Sequence, residues 1–277
     1  MAFPMISVII STYNAFEWLE KTLNGYEVQT FKDFEIVIAD DGSNKEIQSR
    51  IENYIKSTAL QISHVWHEDN GFQKTRILNK ALLHCKGDYI IMSDGDCIPR
   101  KDFIEVHKEY RKPGHFLSGG YFKLPMETSL FISRDDIFKQ KCFDIDWLKQ
   151  HGLQSSGFKN QKLTTTGFKA KLLNSITPTT PSWNGHNSSG WKTDILEING
   201  FDERMQYGGE DRELGERLVN AGVKPIQIRY SAICVHLDHS RGYLNSEALE
   251  INKEIRKETK RTKKTWTNFG IQQSAKD

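Results

Sequence analysis

The 277-residue sequence is poor in several features, and each shortage narrows what the protein can be. Its four cysteines, Cys85, Cys97, Cys142 and Cys234, form no C-x-x-C pair, and their wide spacing fits neither a zinc framework nor a disulfide scaffold. They read as reduced thiols, the state expected in a cytoplasmic protein. Excess charge of one sign is also missing. Lys+Arg 38 against Asp+Glu 36 leaves +2, so no global field draws nucleic acid. No apolar run approaches the roughly 20 residues that a membrane-spanning helix needs. The N-terminal MAFPMISVII has no basic stretch ahead of its apolar run, so no signal peptide is expected. Neither internal repeats nor low-complexity tracts occur, which excludes collagen-like and coiled-coil chains. The sequence contains no G-x-x-x-x-G-K-[ST] and no G-x-G-x-x-G. Kinase, ATPase and dinucleotide-dehydrogenase readings thereby lose their best support. What remains is an ordinary globular composition, 37% hydrophobic and 27% charged, with no evident linker and a length that suits one large domain.

Residues 1–120 alternate between two periodicities. Met5–Ser11, Phe34–Asp40, Leu60–His67 and Asp88–Ser93 are short β-branched runs bounded by turn formers, and read as buried strands. Between them lie helical stretches. One runs to about Gln29, with Asn14 as N-cap and Glu17 three residues on. A second follows a Ser43-x-x-Glu46 capping box, and a third spans Phe72–Cys85. Strand–helix alternation predicts an α/β fold, a mostly parallel central sheet with helices on both faces. Residues 121–150 have room for a strand and a helix. Residues 151–190, rich in Gly, Ser, Thr, Asn and Lys, read as a long loop, of a kind that is either functional or disordered. Gly209–Gly222 reads as a helix with Leu214, Leu218 and Ala221 on one face, and Pro225–Val235 as one or two strands. Ser246–Lys264 is a polar helix; its Lys253–Lys264 stretch carries seven positive and two negative charges.

In parallel sheets, ligands bind beyond the carboxyl ends of the strands. Three strand ends here finish in polar clusters: Ser11-Thr12-Tyr13-Asn14, Asp40-Asp41-Gly42-Ser43 and Ser93-Asp94-Gly95-Asp96. Paired carboxylates such as Asp94 and Asp96 can hold a hard divalent cation that clamps a diphosphate, although acidic turns end many strands without one. Glu210 and Asp211 follow Gly208-Gly209 at a predicted helix start, where acids suit the macrodipole but can also serve as general base. His236-x-x-His239 after a strand can offer imidazole to a metal, and matters if it faces Asp96. Lys74 and Arg76 sit at the start of the third helix, a place suited to anions. Trp183 and Trp191, around Asn184-Gly185-His186-Asn187, are either a sugar-stacking wall or plain core. The basic stretch 253–264 is either a solvated helix face or a contact for an anionic membrane.

These segments together resemble the family 2 glycosyltransferases of the GT-A fold. SVIISTYNAFEWLEKTL, QTFKDFEIVIADDGS, DNGFQKTRILNKAL and GDYIIMSDGDCIPRKDF match that family's nucleotide-binding half in order and spacing, and NGFDERMQYGGEDRELGERL is similar to its acceptor-side segment. The second half, through HLDHSR, is particularly similar to β-1,4-galactosyltransferases and chondroitin polymerases. The resemblance implies a GT-A domain over residues 1–245, with the nucleotide-binding half at about 1–120 and the acceptor-binding half at 121–245; a basic tail occupies 246–277. It places Ser11 and Tyr13 in the nucleoside pocket and Asp41 on the uracil. Arg76 would lie near base or diphosphate, Asp94 on ribose and metal, and Asp96 on the metal with His236 or His239. Glu210 would orient the acceptor and Asp211 would be the base.

The implied activity is inverting, metal-dependent transfer from a nucleotide-diphosphate sugar, most simply a UDP-sugar, to a hydroxyl of a glycan or lipid-linked glycan in polysaccharide biosynthesis. The cofactor is Mn²⁺ or Mg²⁺, with Mn²⁺ favoured by an imidazole ligand. The enzyme would be cytoplasmic, with peripheral contact at the inner membrane face through the tail. Two other readings compete. A sugar-1-phosphate nucleotidyltransferase should carry a Gly-rich basic loop after the first strand, where this chain has Ser11-Thr12-Tyr13-Asn14. A non-catalytic glycan-binding module would rely on Trp183 and Trp191.

Overall fold

The computed structural model describes residues 6–154, 157, 159–239 and 246–274. Met5 of the first predicted strand, Ser240 and Arg241 of the histidine segment, and residues 275–277 lie outside the described residues. The strands β1 (Ile6–Thr12), β2 (Phe34–Asp40), β3 (Ile62–Trp66) and β4 (Tyr89–Asp94) run parallel in the order β3-β2-β1-β4. Every residue of β2 is buried, as expected of a parallel strand covered on both faces. Ile6, Val8 and Ile10 of β1 enter one apolar cluster and Ile9 enters the other, so the two-residue period of the strand divides the core between two faces.

Helices α1 (Phe16–Glu27), α2 (Lys45–Ser57) and α3 (Lys74–His84) connect these strands. Two predicted caps are corrected. Ala15, not Asn14, occupies the N-cap of α1, and Asn14 adopts a left-handed backbone (φ 47°). Its Oδ1 accepts from Asn44 N at 3.0 Å, while its own N–H donates to Ser43 Oγ at 2.8 Å. Asn44 caps α2 by accepting from Ile47 N, and Ser43 is spent on Asn14. These polar residues tie two strand ends together across the rim.

After β4 come β5 (Cys97–Pro99), α4 (Phe103–Tyr110), β6 (His115–Ser118) and β7 (Gly120–Lys123). The helices α5 (Met126–Phe131), α6 (Arg134–Phe138), α7 (Ile145–Gln150), α8 (Gln161–Thr164) and α9 (Gly167–Ile176) follow. Residues 151–190 are thus not one long loop: they contain α8 and α9, and β8 (Ser188–Trp191) begins within them. Then come α10 (Lys192–Glu197), α11 (Glu210–Asn220), β9 (Lys224–Gln227), β10 (Ile233–His236), α12 (Ser246–Thr262) and α13 (Ile271–Ser274). Strand β8 joins β4 antiparallel, and β6 and β9 complete a seven-stranded sheet; a small sheet of order β5-β10-β7 lies apart from it.

Leu214 and Leu218 of α11 are fully buried as expected, but Ala221 is the exposed C-cap and Gly222 takes the left-handed position after it. Trp183 is fully buried against Phe116, and Trp191 packs on Tyr89 and donates to Lys112 O. Neither forms a sugar-stacking wall: both belong to the packing of the main sheet. The basic helix is no free tail either. Arg256 and Lys260 pair with Glu216 of α11, and Thr259 donates to the buried Glu213. No helix among the described residues is long and apolar enough to cross a membrane.

Candidate active site

Parallel register carries three strand ends to one rim. Ser11 pairs with Ala39 on one side and Asp94 on the other, and Asp41 N donates to Thr12 O at 3.0 Å. Ser11 Oγ donates to Asp94 Oδ1 at 2.8 Å, and Lys74 Nζ donates to the same oxygen at 2.9 Å. Burial opposes the ionised form of Asp94, but Lys74, His186 and Ser11 outweigh it and hold the carboxyl well below the usual carboxylate range.

Asp41 accepts from His67 Nε2 at 2.8 Å and from Gln73 N at 3.0 Å. Both of its oxygens are therefore engaged, and each keeps a second lone pair for a ligand. Tyr13 is 49% exposed, and its hydroxyl donates to Asp69 at 2.9 Å. Arg76 lines a polar groove with His67, Asp69, Gln73 and Lys80 beside Asp41.

The small sheet builds a second cluster. Antiparallel pairing sets His236 opposite Cys97, the residue after Asp96. The pairing continues one residue on, where Leu237 N donates to Asp96 O at 2.9 Å. His239 Nε2 then lies 3.0 Å and His236 Nε2 3.6 Å from Asp96 Oδ2. One ligand atom from each of Asp96, His236 and His239 falls within 4.8 Å of the others, so both histidines of the predicted pair reach the same carboxylate. His236 Nδ1 is buried without a partner. One carboxylate and two imidazoles form a donor set that fits a borderline divalent cation. Asp94, expected to contact both ribose and metal, accepts from Ser11 and Lys74 on one oxygen.

Gly208 (φ 112°) and Gly209 (φ 95°) both occupy left-handed backbone, which is why a glycine pair precedes α11. The turn they make returns Glu210 Oε2 to accept from Gly208 N at 2.9 Å. Asp211 lies beside Lys74 and the backbone of Gly185, and its Oδ1 has no hydrogen-bond partner. Burial first, and then the charge of Glu210, push its carboxyl up to about 7, against the opposing pull of Lys74. The helix dipole therefore does not keep Asp211 a fully ionised acid, as its position at a helix start suggested; desolvation outweighs it.

Sequence reasoning did not assign Lys74 and His186 to the site. Lys74 joins the Asp94 and Asp211 sides, and those acids, with Glu210, hold its charge in place despite burial. The visible signal was its place at the start of α3. His186 stands in a turn fixed from below by a buried polar network. His107 bonds Ser189 Oγ at 2.7 Å and Asn187 Oδ1 at 3.0 Å, and Asn187 Nδ2 donates to Gly120 O and Ala232 O. Burial lowers the His107 pKa to about 3, so this support is neutral.

A mostly parallel sheet with acids from the end of β4, the turn after it and the start of α11 at one rim defines a glycosyltransferase of the GT-A type. The model described as "Glycosyl transferase family 2" matches residues 7–150, and the chain belongs to that family. A second model, "N-terminal domain of galactosyltransferase", matches residues 178–240. Among curated relatives, the Escherichia coli chondroitin synthase is 25% identical over 78% of this chain and 32% of its own length. The uncharacterised glycosyltransferase YfnE of Bacillus subtilis is 25% identical over 84% of this chain and 64% of its own. The chain thus spans less than two thirds of either relative. A structure of GalNAc-T7 with UDP, GalNAc and Mn²⁺ superposes with a TM-score of 0.61 at 15% identity, covering 92% of this chain and 48% of that one. The mannosyltransferase PcManGT of Pyrobaculum calidifontis, solved with GDP-Man and Mn²⁺, gives 0.58 at 20% identity over 88% and 59%.

Proposed function

We propose that the chain transfers a sugar from a nucleotide-diphosphate sugar, a UDP-sugar, to a hydroxyl of a glycan or lipid-linked glycan, inverting the anomeric carbon, in polysaccharide biosynthesis. The observation that carries this reading is one rim with three acids in three different settings. Asp94 is held ionised by Lys74, Asp96 faces two imidazoles, and Asp211 titrates near 7. The opposite shifts of Asp94 and Asp211 let neighbouring carboxylates take different roles.

Ser11, Tyr13, Asp41 and Arg76 line the nucleoside side. Asp211 accepts the acceptor hydroxyl proton as that oxygen attacks the anomeric carbon opposite the diphosphate. Lys74 keeps positive charge between the acids, and Glu210, anchored on Gly208 N, fixes the helix start that carries the base and orients the acceptor. Asp96, His236 and His239 are the residues that would hold a divalent cation, Mn²⁺ in preference to Mg²⁺ for its tolerance of imidazole. When bound, that cation neutralises charge on the leaving diphosphate. The Mn²⁺ and nucleotide sugars in the structures of related folds support this assignment.

A thermal-shift panel of nucleotide sugars with and without Mn²⁺ tests the reading. One donor should raise the melting temperature only with the metal present, by mass action. Asp96→Ala should abolish that shift and the Mn²⁺-dependent affinity for UDP in calorimetry; unchanged affinity would remove Asp96 from the site. Pyrophosphate release from UTP and a sugar phosphate would identify a nucleotidyltransferase instead. Binding of glycan without nucleotide or metal would identify a binding module.

A further inference from the structure

Residues 147–193 contain no Asp or Glu, although 36 of the chain's 277 residues are acidic. They do contain Lys149, Lys159, Lys162, Lys169, Lys171 and Lys192. In the middle of this stretch lies α9, GFKAKLLNSI, whose apolar residues point the wrong way for a core helix. Phe168 is 81%, Leu172 48% and Ile176 62% exposed. At about 100° per residue these three form one stripe, with Lys171 at one edge and Lys169 at the other. The opposite face is pinned. Ala170 and Asn174 are buried; the Asn174 amide donates to Ser231 Oγ at 2.9 Å and its Oδ1 accepts from Tyr230 N at 2.8 Å. The helix cannot roll its stripe inward without leaving that amide unpaired, so the fold presents the apolar face outward.

We propose that α9 is a docking helix for an anionic lipid bilayer. It lies in the headgroup layer with Phe168, Leu172 and Ile176 inserted and with Lys169 and Lys171 on lipid phosphates. An apolar stripe edged by lysines is the pattern of interfacial helices, whose long basic side chains reach up to the charged layer. Charge complementarity selects the occupant, because the 47-residue stretch of chain that contains α9 carries cations and no anion. A stripe three side chains long falls well short of the ~800 Å² per partner of a stable protein interface. The more basic α12 is a poorer candidate: Arg256 and Lys260 are paired with Glu216, Lys253 with Glu250, and Lys257 with Glu254. The inference rests on α9 and does not depend on the transfer reading.

The test is co-sedimentation of the full chain with phosphatidylcholine vesicles, with and without phosphatidylglycerol. Wild type should bind the anionic vesicles and lose binding as salt screens the lysines. The triple variant Phe168→Ser/Leu172→Ser/Ile176→Ser, with an unchanged melting temperature, should bind at least about tenfold more weakly. Lys169→Glu/Lys171→Glu should lose the preference for anionic lipid. The proposal is overturned if wild type ignores anionic vesicles, or if either α9 variant binds as wild type does. It is equally overturned if Lys257→Glu/Arg261→Glu is the change that abolishes binding. A concentration-dependent dimer in sedimentation velocity that the triple variant dissolves would place a second copy on the stripe, and so would also reject it.

Discussion

Asp211 is pulled in two directions. The start of α11 and Lys74 favour its charge; burial and Glu210 oppose it, and the carboxyl ends up near 7. A base with a pKa near the working pH combines a useful ionised fraction with real proton affinity. Transfer should therefore rise with pH through about 7 as Asp211 loses its proton. Asp211→Asn should lower transfer by about 10²–10⁴-fold while leaving UDP-sugar affinity nearly unchanged. Loss of donor affinity would instead place the residue in the nucleotide site. The same shift makes a stability prediction. A carboxyl whose folded pKa is raised stabilises the fold below its unfolded value of ~3.9, and that contribution is lost as pH rises toward the folded value. Asn behaves like the protonated acid, so Asp211→Asn should melt like wild type near pH 4 and be more stable above pH 7, by about 1–2 kcal/mol after allowance for solvent screening. Thermal melts of both proteins across that range check the sign.

At the scale of elements, the long periodic segments were legible and the local decisions were not. Strand β2 and helix α3 follow from hydrophobic period alone. The caps of α1 and α2 did not, because Ser43 Oγ accepts from Asn14 N and Asn14 Oδ1 from Asn44 N, across the rim, instead of serving their own helices. Helix α9 was hidden because its apolar residues face outward and its buried face is Ala170 and Asn174, so no inward stripe exists to be recognised. Helix α11 shows how packing overrides propensity. Gly215 lies in its interior, where Ala would be favoured by about 1 kcal/mol. A Cβ there would stand 2.7 Å from Trp183 Cβ and 2.9 Å from Trp183 N, part of a fully buried residue that cannot move aside. Gly215→Ala should therefore destabilise the protein by about 1–3 kcal/mol in denaturant unfolding, despite the better helix former. A stabilised variant would mean that α11 and Trp183 pack less tightly than described.

For the whole molecule, the C-terminal segment completes the packing around the start of α11. Asn252 Nδ2 donates to the carbonyls of Gln206, Tyr207 and Gly208, the turn that leads into Glu210 and Asp211. Thr259 bonds Glu213, which is locked to the fully buried Arg217. Thr267 serves both Asn199 and Asp202. A chain ending at residue 245 leaves these buried groups without partners, at about 1–3 kcal/mol each. Against a typical total stability of about 5–15 kcal/mol, that loss should abolish cooperative thermal unfolding near the wild-type temperature. A truncated chain that melts as wild type would show α12 to be dispensable.

The sequence by itself determined the α/β alternation, the polar strand ends, the family resemblance and the identity of the acids and histidines, because each depends on local period or on residues close together in the chain. Only the tertiary structure decided that Asp96 meets both His236 and His239 and that Lys74 links Asp94 to Asp211. It likewise decided that Trp183 is core and that the basic helix is docked. Those outcomes rest on sheet register, on burial and on the summed field of groups far apart in the chain. The same is true of the Asp211 carboxyl: its residue type is written at position 211, but its proton affinity comes from how deeply the fold buries it and from which charges stand beside it.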